Sequence, residues 1–188
     1  GTLDASNGSM TLSGVISGSG ALTIRSSNAG NAIALSGANT YTGGTQHLSG
    51  ILGLESNTAV GTGTLTLEGG KVRSMAGART ISNDLVFAGN MTMSGSHALT
   101  FSGNVNLGGL DRIIDNSINS DLTFSGIISN GSITIGGSAG TGAVVLSGNN
   151  TYTNTTISNS NTLSIASDAS LGSGTVTLNG AGAVLKVT

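Results

Sequence analysis

The feature that most limits the folds open to this chain is that it repeats itself. Leu35-Ser36-Gly37-Ala38-Asn39-Thr40-Tyr41-Thr42 returns as Leu146-Ser147-Gly148-Asn149-Asn150-Thr151-Tyr152-Thr153, 111 positions further on. Read without gaps, the same displacement carries Val60-Gly61-Thr62-Gly63-Thr64-Leu65-Thr66-Leu67 onto Leu171-Gly172-Ser173-Gly174-Thr175-Val176-Thr177-Leu178. Upstream, Leu12-Ser13-Gly14-Val15-Ile16-Ser17 matches Phe124-Ser125-Gly126-Ile127-Ile128-Ser129 with one residue of slippage. A shorter period lies inside the long one. Gly14 and Gly37 stand 23 apart, Gly103 and Gly126 also 23, and Gly126 and Gly148 stand 22 apart. Periods of this size belong to solenoids, whose units cannot bury their own apolar face and must stack on neighbours.

A coil of that length has room for two or three short strands and tight corners. Between Gly14 and Gly37 the apolar strings Ala21-Leu22-Thr23-Ile24 and Ala32-Ile33-Ala34-Leu35 flank Ser26-Ser27-Asn28-Ala29-Gly30-Asn31, a run whose Gly and Asn tolerate left-handed corners. Alternation recurs in Thr64-Leu65-Thr66-Leu67, Leu163-Ser164-Ile165 and Val184-Leu185-Lys186-Val187, which separates the chain from a disordered Gly/Ser linker. The spacing predicts an all-β protein, a right-handed parallel β-helix (β-solenoid) of roughly eight rungs of about 22 residues, its hand taken from the preference of parallel crossovers. An antiparallel sandwich would show similar short strands but would not require a unit of this length to recur in register. Residues 1–188 read as a single parallel β-helix segment, with matching modules at about 12–77 and 124–187 joined by looser rungs over 78–123.

Composition agrees with stacking. Charged residues make up 7% of the chain, against roughly 25% in ordinary domains. In a parallel stack like residues align in ladders about 4.8 Å apart, where hydroxyls and amides bond but like charges repel. Five aromatic residues, two Tyr and three Phe, fit a narrow coil filled by Leu, Ile, Val and Ala, and are too few for the girdles of a membrane barrel. Arg25, Lys71, Arg73, Arg79, Arg112 and Lys186 are too scattered for a nucleic-acid interface, and no apolar run approaches the roughly 20 residues of a spanning helix, so neither nucleic acid nor direct membrane insertion is expected. The chain opens on Gly1 and not on methionine, which reads as a processed or excised piece. Its lack of cysteine suits export through an oxidising compartment.

The segment Leu35 to Gly70 resembles the autotransporter-associated β-strand repeat, also called the passenger-associated transport repeat. The resemblance rests on Gly37, Asn39-Thr40-Tyr41-Thr42-Gly43-Gly44-Thr45 and Gly61-Thr62-Gly63-Thr64-Leu65-Thr66-Leu67. The second copy departs from the pattern where Asn154 and Thr155 replace the paired glycines, so its corner is expected to be wider or differently bonded. Together the two copies cover somewhat less than half of the chain. The resemblance implies the passenger domain of a type V secretion system, carried across the outer membrane and displayed at the bacterial cell surface. It implies a structural stalk, not an enzyme, whose partners are neighbouring β-helix repeats of the same parent chain. Self-association end to end or side by side, and adhesion to host or surface glycans or proteins, form the alternative reading. A β-helix enzyme acting on polysaccharide is the third.

No catalytic, cofactor-binding or metal-ligating residue is assigned, and each chemical motif has a plainer explanation. Gly136-Gly137-Ser138-Ala139-Gly140 has the Gly-x-Ser-x-Gly form of a nucleophile elbow, but an elbow needs a later histidine, and His47 and His97 both precede it. Asp111, Asp115 and Asp121 form the densest acidic group, beside Arg112, yet lack the glycine-rich aspartate pattern of calcium-binding β-rolls and read as solvated loop carboxylates. His47 and His97 lack zinc-site spacing and read as exposed strand positions. Gly69-Gly70-Lys71-Val72 lacks the hydroxyl residue of a phosphate-binding loop and reads as a turn. Tyr41 and Tyr152 occupy equivalent places, where the resemblance implies that each packs over the same corner of its repeat. A paired carbohydrate platform is the alternative.

Overall fold

The computed structural model describes residues 1–188 except Ala139. The chain is an all-β solenoid of parallel strands, about nine turns of about 21 residues each. Each turn visits three sides in the same order. The first side stacks β1 (Thr2–Asp4), β3 (Leu22–Arg25), β5 (Thr45–His47), β7 (Leu65–Leu67), β10 (Leu85–Phe87) and the starts of β13 (Val105–Ile118) and β15 (Ile128–Gly136). The second stacks β2 (Met10–Leu12), β4 (Ala32–Leu35), β6 (Ile51–Leu54), β8 (Lys71–Ser74), β11 (Met91–Gly95), the ends of β13 and β15, β17 (Thr155–Ser158) and β19 (Val176–Asn179). On the third lie β9 (Arg79–Ile81), β12 (Leu99–Phe101), β14 (Leu122–Phe124), β16 (Val144–Leu146), β18 (Thr162–Ile165) and β20 (Val184–Val187). The third side is a separate sheet of 6 strands, whereas the first two merge into one of 14 because β13 and β15 run around the corner without a break.

The stacking register explains the alternation in the sequence. Leu22, Thr45, Leu65, Leu85, Val105 and Ile128 pair in succession, so one interior column runs through six turns. On the third side Leu99, Leu122, Val144, Leu163 and Leu185 form another. Each column hides aliphatic side chains behind the sheets and leaves the intervening residues, such as Thr100 and Thr123, on the outer surface. Apolar burial of this kind contributes roughly 25 cal/mol per Å², more than the scattered charges could supply. The expectation of an aliphatic interior needs a correction. Tyr41, Phe87, Phe101, Phe124 and Tyr152 are all fully buried. Phe101 stacks on Phe124 at 5.5 Å, and Phe87 meets Phe124 edge-on at 6.1 Å, so the aromatic residues are few but all lie inside.

The periodic glycines mark where turns touch. A Cβ on Gly37 would stand 2.2 Å from the carbonyl oxygen of Gly14, and a Cβ on Gly126 or Gly148 would stand 2.1 or 2.2 Å from that of Gly103 or Gly126. Backbone therefore packs directly on backbone at these corners, after second-side strands for Gly14 and Gly37 and after third-side strands for Gly103, Gly126 and Gly148, and no side chain fits.

The long repeat has a geometric consequence. Strands β4 and β6 lie on the second side, but their counterparts one long repeat later, β16 and β18, lie on the third. Likewise β5 and β7 belong to the first side and β17 and β19 to the second. With turns of about 21 residues, the repeat spans five full turns and a remainder, and the pairing shows that remainder to be one side of three. The second module thus repeats the first after a rotation by one side.

Candidate functional site

The repeated Asn-Thr-Tyr-Thr run gives the most elaborate polar arrangement in the molecule. Asn39 is buried, accepts the Ile16 N–H at 2.8 Å on Oδ1 and donates from Nδ2 to the Ala59 carbonyl at 2.6 Å. Asn150 does the same, with the Ile128 N–H at 2.7 Å and the Ser170 carbonyl at 2.7 Å. One carboxamide therefore ties its own turn to the turn before and the turn after. Tyr41 and Tyr152 follow two residues later and point inward. Tyr41 is hydrogen-bonded to the Thr45 hydroxyl, which donates to the Val60 carbonyl at 3.0 Å. Tyr152 meets Thr155 Oγ1 at 2.8 Å and donates to the Ser170 carbonyl at 3.3 Å. Burial raises both phenols above their ordinary pKa, partly opposed by these threonine bonds. Neither ring is open to solvent, so the two do not form a carbohydrate platform.

Gly61 and Gly172 complete the motif. Both have positive φ, 68° and 72°, and a Cβ on either would lie 2.4 Å from the carbonyl oxygen of Tyr41 or Tyr152.

The second copy is shorter at its corner, not wider, and it is differently bonded, with Asn154 Oδ1 accepting from Thr175. The hydroxyl partner Thr45 stands four positions after Tyr41, but Thr155 stands three after Tyr152. Thr155 thus takes the place of Thr45, and Asn154 alone stands where Gly43 and Gly44 stood. The displacement is 110 in this strand and returns to 111 by β18, so the gapless match holds only outside it. Pairing confirms the shift. Ile24, His47 and Leu67 are partners in register in the first module, and Ile135, Ile157 and Leu178 in the second.

His47 therefore occupies the slot that Ile157 fills in the second copy. It is fully buried, contrary to the exposed strand position expected for it, because Thr45 and His47 share the inward parity of β5. Neither ring nitrogen has a hydrogen-bond partner among the described residues. Burial pushes its pKa down to about 4, against a small opposing effect from the backbone of Ser49 and Gly50. His97, expected on a strand as well, lies off the strands. It sits half-buried in a bend after β11, beside Arg73 and Met75.

The acidic residues do not converge. Asp111 is exposed on β13, Asp115 accepts the Ser117 hydroxyl at 3.0 Å, and Asp121 accepts the Ala143 N–H at 3.0 Å across the next turn. Among the described residues no group of three His, Cys, Asp or Glu side chains is placed to hold a metal ion. Gly136 closes β15 and Gly137 turns with φ 77°, whereas Ala139 in the candidate elbow lies outside the described residues. Lys71 opens β8 directly after Gly70, whose φ of 81° makes the turn. Among the described residues no helix is long and apolar enough to cross a membrane. No family model, curated protein or solved structure matches the chain.

One surface feature stands apart from this internal machinery. Beside the Gly43-Gly44 corner lies a shallow trough of about 380 Å³, floored by glycine and bordered by Thr23, Gln46, Thr64 and Thr66.

Proposed function

We propose that the chain is a non-catalytic structural segment of a secreted bacterial surface protein of the autotransporter passenger type, serving export and display. The observation that carries this reading is how the residues common to both copies are used: Asn39 and Asn150 are committed to bonds between turns, Tyr41 and Tyr152 to buried bonds with Thr45 and Thr155, and they leave nothing reactive at the surface. About nine turns at about 4.8 Å each form a rod about 40 Å long. A rod with a sparsely charged outer surface is suited to hold other parts of a protein away from a membrane.

A stack of this kind also takes more of its own. Val176, Leu178 and Val187 on the last turn are exposed by 37%, 54% and 67%, where their in-register partners Thr155, Ile157 and Ile165 are buried. The covering partner we favour is a neighbouring repeat of the same parent chain.

The experiment places residues 1–188 upstream of an outer-membrane barrel with a tag at the N-terminus, and compares it with a Gly/Ser linker of equal length. The expected result is efficient export of the folded segment, with the tag cleaved by protease added to whole cells, and poor export of the linker. Equal export of both, or cleavage of polysaccharide by the purified segment, sinks the reading. Concentration-dependent clumping of the displaying cells favours the adhesin alternative.

A further inference from the structure

The two modules differ at the trough in a way that identifies what fits there. In the second module the Asn154 carboxamide lies at the corner, and its Oδ1 accepts both the Thr175 N–H and the Thr175 hydroxyl, each at 3.1 Å. Thr64 is the counterpart of Thr175. Their carbonyls play the same part, accepting the N–H of Thr45 and of Thr155 at 2.9 Å. Yet the N–H and hydroxyl of Thr64 have no hydrogen-bond partner among the described residues, because Gly43 and Gly44 stand where Asn154 does. Thr64 is exposed and borders the trough. The first module thus presents to solvent the two donors that the second satisfies with an amide oxygen of its own.

The surroundings restrict the ligand further. The lining residues carry no charge, and Glu68 beside them accepts from Gln46 Nε2, so an anion gains no ion pair in the trough. Thr23, Gln46 and Thr66 follow one another in register across three turns, a row of hydroxyl and amide groups at the spacing of the sheet, about 4.8 Å. Such a row suits a chain of hydroxyl groups. Ala21 adds a small apolar contact.

We propose that the trough at the Gly43-Gly44 corner is a binding site for neutral saccharides bearing an acetamido group, whose carbonyl oxygen takes the place that Asn154 Oδ1 fills in the second module. Gly43 and Gly44 keep the site open. A side chain there would also strike backbone, since a Cβ on Gly43 would lie 2.5 Å from the Ala21 nitrogen. The site does not depend on the stalk reading, because a spacer and an enzyme could equally carry it.

Titration of ¹⁵N-labelled protein with the N-acetylglucosamine trimer tests the proposal, with cellotriose, which has hydroxyls in place of the acetamido groups, as the control. The expected result is a set of amide shifts confined to Gly43, Gly44, Gln46 and Thr64. Cellotriose should bind about tenfold more weakly, the scale of one or two lost hydrogen bonds. Thr64→Val, a substitution at an exposed site that removes the hydroxyl and keeps the shape, should weaken the trimer several-fold, about three- to tenfold. Replacing Gly43 and Gly44 by a single Asn, the second module's own corner, should abolish binding, and replacing Asn154 by Gly-Gly should bring new shifts at Thr175. Equal affinity for both sugars overturns the proposal. So do shifts spread evenly over the threonine ladders, an unchanged affinity in Thr64→Val, or preference for an asparagine-rich peptide over the sugar.

Discussion

His47 is an imidazole set in an aliphatic column, and its protonation state is coupled to whether the coil is closed. Its folded pKa of about 4 lies below the ordinary value of 6.5, so the unfolded chain takes up a proton in that interval and the folded chain does not. Stability from this group is complete above pH 6.5, falls as the pH drops from 6.5 to 4, and changes no further below that. The interval corresponds to about 3 kcal/mol. The charges on the flanking strands, Arg25 and Glu68, are exposed and follow the inward-facing Ile24 and Leu67. His47→Ile, which copies Ile157, should raise stability at pH 5 and flatten the profile between pH 6.5 and 4, measured by urea unfolding across that range. A profile as steep in the variant as in the parent would show that another group is responsible. Asn39 offers a second test at this scale. Asn39→Ala strands the Ile16 N–H and the Ala59 carbonyl and should cost about 2–3 kcal/mol in the same measurement, whereas Tyr41→Phe loses one bond and should cost about 1 kcal/mol. The sequence did not reveal the burial of His47, because Thr45, Gln46 and His47 are all polar and parity alone cannot say which side faces inward. Its in-register neighbours Ile24 and Leu67 held that information, but only once the pairing was known.

At the scale of strands and corners, the stacked glycines set how closely turns approach. Gly126→Ala would press a methyl group into the Gly103 carbonyl and should destabilise by about 2–3 kcal/mol, the usual cost of overfilling a tight contact. Gly20→Ala, with nothing within 4 Å, should stay within about 0.5 kcal/mol, and thermal melts of the two variants side by side would separate close approach from a general need for glycine. These corners were legible beforehand, since the regular spacing of Gly14, Gly37, Gly103, Gly126 and Gly148 is the stacking period itself. The corner at Asn154 was not. Thr155 and Thr156 are the same letter, so matching by identity aligned the wrong one with Thr45, and it takes the bond from Tyr152 and the strand register to decide between them. The open trough was hidden for the same reason, because it depends on Asn154 replacing two glycines rather than one.

For the whole molecule, stability is a sum of contacts between successive turns, so it is expected to vary along the axis. Phe87, Phe101 and Phe124 concentrate aromatic packing in the middle turns, while Leu178 and Val187 on the last turn are largely uncovered. Hydrogen exchange should therefore be slowest in β10, β12 and β14 and fastest in β1, β2 and β20, and uniform protection along the rod would contradict this. The all-β class and the coil length were readable from periodicity, because a parallel stack imposes its period directly on the sequence. The rotation between modules needed the strand pairing, since turns of unequal length obscure the remainder when the long repeat is divided by the short one. That remainder governs how such a gene can grow. Unequal crossing-over between the two copies of the Leu-Ser-Gly-x-Asn-Thr-Tyr-Thr stretch would add or remove one whole long repeat and keep the sequence period across the junction. Everything downstream nevertheless faces a new direction, and three such events are needed before it points the original way again.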